Sequence, residues 1–128
     1  MPFMRVYMAK TDNDTGLEKS LREITAAGEE ILENVLTRMI RIGVYESDPI
    51  KVYEGGEPVE EDVVTVIFNV GPGRSLEAKN TFMKKIAEVF STNMGFQKEN
   101  VRCHILDNWE GHHLVIDGAP KDFTKKVK

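Results

Sequence analysis

Residues 2–9, PFMRVYMA, mix apolar and polar positions at the spacing of a strand, and proline at the head of a strand sacrifices no ladder bond. TDNDTG follows as a turn or loop. Thr15 and Glu18 have the S/T-x-x-E capping-box form. Leu17, Leu21, Ile24, Ile31 and Val35 then recur at steps of three, four and seven, which predicts an amphipathic helix over about 16–34. TRMIRIGVYE, residues 37–46, is β-branched and aromatic and reads as a second strand. Residues 47–61 hold Gly55-Gly56 and two prolines and read as a surface excursion or hairpin.

The order then repeats. VVTVIFNV, residues 63–70, is almost continuously apolar, as expected of a strand covered on both sides. GPGRS makes a tight turn, and Ser75 is placed to cap a second helix. Leu76, Phe82, Met83, Ile86, Val89, Phe90 and Met94 mark that helix's buried face to about residue 94. NVRCHILD is a fourth strand, with Val101, Cys103 and Ile105 on one face and Arg102, His104 and Leu106 on the other. Residues 108–118 read as a turn and short strand, and 119–128 as a polar, basic surface tail.

Two β-α-β units, about 2–46 and 62–107, therefore share a pattern with little identity, and an internal duplication is the simplest account. Right-handed crossovers make each strand pair parallel. The fold class expected is α+β in two layers: one four-stranded mixed sheet with two helices on a single face. The uncovered apolar face then calls for a homo-oligomer.

The 128 residues suit one domain with one core. A net charge of −4 and a pI of about 5.4 argue against a nucleic-acid partner. The single cysteine, Cys103, excludes an internal disulfide and fits a reducing, cytoplasmic compartment. No apolar run reaches membrane-spanning length, and no secretory leader is visible at the start.

Two positions carry candidate chemistry. If Met1 is removed, Pro2 is a free secondary amine, and α-amino groups titrate near neutrality, where general acid-base catalysis works best. Arg74 sits in GPGRS at a helix N-terminus, where backbone N–H groups and a guanidinium both favour a carboxylate. If the units pair about a pseudo-two-fold axis, strand 2–9 runs antiparallel to 63–70 and Pro2 comes near Arg74. Arg38 and Arg41 on the second strand and Arg102 on the fourth are candidates for a second cation, with Arg38 and Arg102 read as matching places; edge charge or a subunit salt bridge is the competing account of each. Adjacent histidines on a strand point to opposite faces, so His104, His112 and His113 are not expected to bind metal.

Met-Pro before a strand, GRSLEAK at a strand-to-helix turn, and VRCHILDNWEGHHLVIDG together resemble the tautomerase superfamily. The second unit resembles the short 4-oxalocrotonate tautomerase subunit, and GRSLE and the length are similar to 5-carboxymethyl-2-hydroxymuconate isomerase. The resemblance covers most of the chain except 47–61 and the tail. It implies a homotrimer, no metal or organic cofactor, and isomerisation of a small enol or unsaturated 2-oxo carboxylate. Pro2 would be the general acid-base and Arg74 the carboxylate binder. Arg41, Arg38 or Arg102 would assist. His113 falls where the family pattern has an aromatic near the proline; Trp109 or Phe3 would compensate. The first unit has Asp12 where the second has Arg74, which implies one catalytic centre per subunit. The residues also admit two other readings. One is hydratase-type dehalogenation or decarboxylation, which needs a second arginine where Gly71 stands. The other is a non-enzymatic trimeric binding protein with an idle proline.

Overall fold

The computed structural model describes residues 2–33, 35–107, 113–116 and 119–122, the last two stretches as backbone. Among the described residues eight strands and two long helices follow in order: β1 (Phe3–Ala9), α1 (Asp14–Ile31), β2 (Arg41–Ser47), β3 (Tyr53–Glu54), β4 (Glu57–Pro58), β5 (Val64–Val70), α2 (Leu76–Met94), β6 (Val101–Asp107), β7 (His113–Ile116) and β8 (Ala119–Asp122). The main sheet has the order β2-β1-β5-β6. β1 is parallel to β2 and β5 to β6, while the central pair β1–β5 is antiparallel. This is the α+β arrangement expected from two β-α-β units.

Strand alternation puts Met4, Val6 and Met8 of β1 and Val64, Val66, Phe68 and Val70 of β5 fully under the helices. Ile24 of α1 and Phe82, Ile86 and Phe90 of α2 meet them, with the Phe68 and Phe82 rings 5.4 Å apart. Thr65, Ile67 and Asn69 on the other side of β5 are only half-buried. The apolar run at 63–70 therefore corresponds to a strand covered on one face within a single chain. That open face also carries Phe3, a Tyr7–Tyr45 stack at 5.2 Å, and Leu106, which is 48% exposed.

Helix limits differ from the periodicity reading. Asn13, not Thr15, caps α1: its side chain accepts from the Gly16 N–H at 3.0 Å. The helix ends at Ile31, because Leu32 turns to extended backbone and, with Val35, drops into the core. Residues Thr37–Met39 form a 3-10 turn, so β2 starts only at Arg41. Gly28 is the last buried residue of α1, where a Cβ would come within 2.8 Å of Ile40 Cδ1. Ser75 caps α2 as expected, but Leu76 at that helix's first turn is 69% exposed rather than buried.

The excursion is a hairpin, β3 against β4, turning through Gly55 and Gly56 at positive φ. It reaches the far edge of the sheet, where Glu54 pairs with Arg102 at 3.0 Å. A second hairpin joins β7 to β8, so strand pairing extends into the segment read as tail. No helix among the described residues is long and apolar enough to cross a membrane.

Cys103 faces the helices on β6, and burial pushes its thiol up to about 12. A raised pKa means the reactive thiolate is scarce at mildly alkaline pH. Iodoacetamide at pH 8 is expected to leave Cys103 unmodified in the native protein and to add one adduct after denaturation, read by intact mass.

Candidate active site at the proline end of the sheet

Pro2 is buried immediately ahead of β1, and its carbonyl accepts the Arg41 N–H at 3.1 Å. The sheet thus fixes Pro2 through its carbonyl and makes no demand on its nitrogen. The antiparallel register pairs Phe3 with Asn69, so one step further Pro2 faces Val70, the last residue of β5. Val70 in turn pairs with Asp107, the last residue of β6. Pro2, Val70 and Asp107 form a row across three strands, and strand spacing separates its ends by roughly 10 Å.

Above this row the chain leaves β5 through Gly71-Pro72-Gly73 and enters α2. Gly73 has φ +101°, which favours glycine. The turn delivers Arg74, whose Nε donates to the Glu33 carbonyl at 2.8 Å and whose Nη1 donates to the Gly71 carbonyl at 2.7 Å. The Ser75 N–H donates to Glu33 Oε1 at 3.1 Å, and the Ser75 hydroxyl accepts from the Ala78 N–H at the same distance. The end of α1 is therefore stapled to the start of α2 by Glu33. The converse staple joins the Asn13 side chain to the Asn93 carbonyl at the other end of the pair.

Burial draws the Arg74 guanidinium below its ordinary pKa, against the opposing pull of Asp107 and Glu33. An arginine nonetheless keeps its charge in a protein. Lys79, one turn into α2, holds Asp107 Oδ2 at 3.0 Å, with both side chains largely shielded. Asp107 Oδ1 is buried without a hydrogen-bond partner. Arg74, Lys79, Glu33 and Asp107 thus gather at the turn beside Pro2, and Glu77 lies in the first turn of α2.

Other expected residues fall differently. Arg38 lies exposed in the 3-10 turn, not on the strand. Helix caps Asn13 and Ser75 stand 62 residues apart in the repeat, which maps Phe3 onto Thr65. Phe3 pairs with Arg41 and Thr65 with Arg102, so the match to Arg102 is Arg41, not Arg38. Arg41 starts β2 beside Pro2, with its exposed side chain on Phe3's open face of the sheet. Arg102 lies five residues from Asp107 along β6, about 17 Å at strand rise. It is tied to Glu54 there, so one chain does not bring it to Pro2. Asp12 takes the place of Arg74 under the same offset. Met1 and Trp109 lie outside the described residues; His113 opens β7, and its side chain lies outside them too.

Glu33, Lys79 and Asp107 were not singled out as site residues from sequence. Glu33 and Ser75 are 42 residues apart, and Lys79 and Asp107 are 28 apart. Only the strand register brings Asp107 to this end. Among the described residues no group of three His, Cys, Asp or Glu side chains converges as a metal site.

No protein-family model matches the chain, and no curated protein matches it. Solved structures do. A protein described as W0 fused 4-OT, a wild-type symmetric trimer, superposes with a TM-score of 0.78 at 20% identity, over 91% of this chain and 94% of its own. Pt0534 inactivated by 2-oxo-3-pentynoate gives 0.77 at 13% identity, over 91% and 93%. MIF2 of Leishmania major gives 0.77 at 12% identity, over 94% and 97%. The chain shares the fold of these proteins, including the fused 4-OT form.

Proposed function

We propose that this chain is a cofactor-free tautomerase, an isomerase acting on a small enol or unsaturated 2-oxo carboxylate. The observation that carries this reading is the β1–β5 register, which sets Pro2 beside the end of β5 and the turn bearing Arg74. With Met1 removed, the Pro2 nitrogen takes a proton from the enol hydroxyl and returns one to the conjugate carbon, so atoms balance without a co-reactant. A free α-amino group titrates near neutrality, where it can serve as a base. Arg74 pairs with the substrate carboxylate. Arg41, whose backbone N–H bonds the Pro2 carbonyl, is the second cation of this chain nearest in the register; Arg38 and Arg102 enter only if another copy brings them, and Trp109 and His113 would wall the pocket. Inactivation of a structurally similar protein by an unsaturated 2-oxo acid fits this substrate class.

The similar fused proteins are trimers. A homotrimer burying the open face that holds Phe3, the tyrosine stack and Leu106 is the assembly this reading takes, in a cytoplasmic setting. Hydratase chemistry is less well served, since Gly71 holds the place where it needs an arginine. The binding-protein reading takes over if Met1 is retained.

The test begins with an intact mass of protein from its native source, expected to lack one methionine. That material is then offered phenylenolpyruvate, with ketonisation followed by absorbance. Turnover above the buffer rate is expected. Retained Met1, or processed protein without turnover on any of a panel of enol carboxylates, overturns the proposal.

A further inference from the structure

Among the described residues, Glu33 is the carboxylate whose hydrogen bond reaches a backbone N–H of the turn that carries Arg74. Its oxygen sits on the Ser75 N–H, at the N-terminus of a 19-residue helix, where an anion is best stabilised. The residue's carbonyl takes the Arg74 Nε–H. Glu33 is otherwise exposed, lying past the end of α1 rather than in the core. An acidic side chain is therefore already present at the anion-favouring end of the site, supplied by the first repeat to the second.

We propose that Glu33 is a specificity-determining residue that biases the site toward monocarboxylates. The inference rests on the tautomerase reading of the same site. Lys79 is held by Asp107, so an ionised Glu33 balances the charge of Arg74, and Glu77 in the first turn of α2 adds a further negative charge. One substrate carboxylate finds Arg74. A second carboxylate on the same small molecule meets Glu33 instead of the vacant helix N-terminus it would otherwise use. Like charges at a partly exposed site disfavour each other by a few-fold in affinity. Glu33→Gln keeps an oxygen acceptor for the Ser75 N–H and removes the charge, so it separates the staple from the electrostatics.

The probes are fumarate and crotonate, which share a four-carbon unsaturated skeleton and differ by one carboxylate. Binding to the processed wild type is measured by titration calorimetry at pH 7. Crotonate is expected to bind at least as tightly as fumarate. Glu33→Gln is expected to tighten fumarate by roughly 3- to 5-fold, with crotonate changed by less than 2-fold, and Glu33→Asp to keep the wild-type preference. Fumarate bound more tightly than crotonate by wild type, or equal changes for both probes in Glu33→Gln, overturns the inference. The wild-type comparison decides even if the variant fails to fold. Enol turnover with no change in preference removes this role and leaves the tautomerase reading standing. No binding of either probe together with no turnover removes both.

Discussion

A form carrying one extra residue before Pro2 is expected to turn over an enol carboxylate roughly 10²- to 10⁴-fold more slowly than the processed protein, the range for loss of a positioned acid-base group. The physical reason is confined to one atom. In the processed chain the Pro2 nitrogen is an amine with a lone pair; with a residue ahead of it, the same nitrogen is an amide whose lone pair is delocalised. Nothing else in the sheet needs to change. The Pro2 carbonyl still accepts the Arg41 N–H, and Phe3 still pairs with Asn69. Because both forms keep these backbone bonds, the thermal midpoint is expected to change far less than the rate. Pro2→Ala is a milder test, because it leaves a primary amine that titrates in the same region. It removes the rigid ring packed at the head of β1, and an intermediate loss is expected. Equal rates for the extended and processed forms would exclude the amine as the base.

How far the site was legible in the sequence depends on the distance over which each feature is decided. The Ser75 cap, the GPGRS turn and the apolar alternation of β1 and β5 are local, and a reading of a few residues finds them. The antiparallel pairing of β1 with β5 followed from one further assumption, that two similar units pack about a two-fold axis. The choice between Thr15 and Asn13 as cap turned on two side chains in adjacent turns: Asn13 prevails with its own N–H also held by the Thr11 hydroxyl at 3.0 Å. Confusing Arg38 with Arg41 came from the 3-10 turn at Thr37–Met39, which absorbs three residues with strand-like composition. Leu76 fits the helical stripe by spacing, yet as the first residue of α2 it is exposed. Glu33 and Asp107 had no local signal. An acidic residue after a helix or a strand is ordinary, and only the antiparallel packing of α1 on α2 and the pairing of Val70 with Asp107 assemble them around Arg74.

Arg74→Ala is expected to damage activity and stability together, which distinguishes this arginine from a solvated loop charge. Activity is expected to fall roughly 10²- to 10³-fold in kcat/KM, as when a preorganised charge partner is removed. Stability is lost for a separate reason. Arg74 bridges the carbonyls of Glu33 and Gly71, one at the end of the first unit's helix and one in the second unit's turn. Removing it leaves the Gly71 carbonyl short of a donor at a part-buried place and opens the exposed Glu33 carbonyl to water, a loss of about 0.5–1.5 kcal/mol. Chemical denaturation should show that loss as a lower midpoint with an unchanged slope. Arg74→Lys keeps the charge on a single ammonium and lacks the planar fork, so it cannot hold both carbonyls and a carboxylate at once. It should recover part of the carboxylate affinity, seen in KM, and little of the stability. If Arg74→Lys instead restores the denaturation midpoint completely, the two carbonyl bonds contribute nothing that a point charge does not. If Arg74→Ala leaves kcat/KM unchanged while lowering the midpoint, the arginine is a clasp between the two units, and the carboxylate must be bound by another cation, with Arg41 the first to replace.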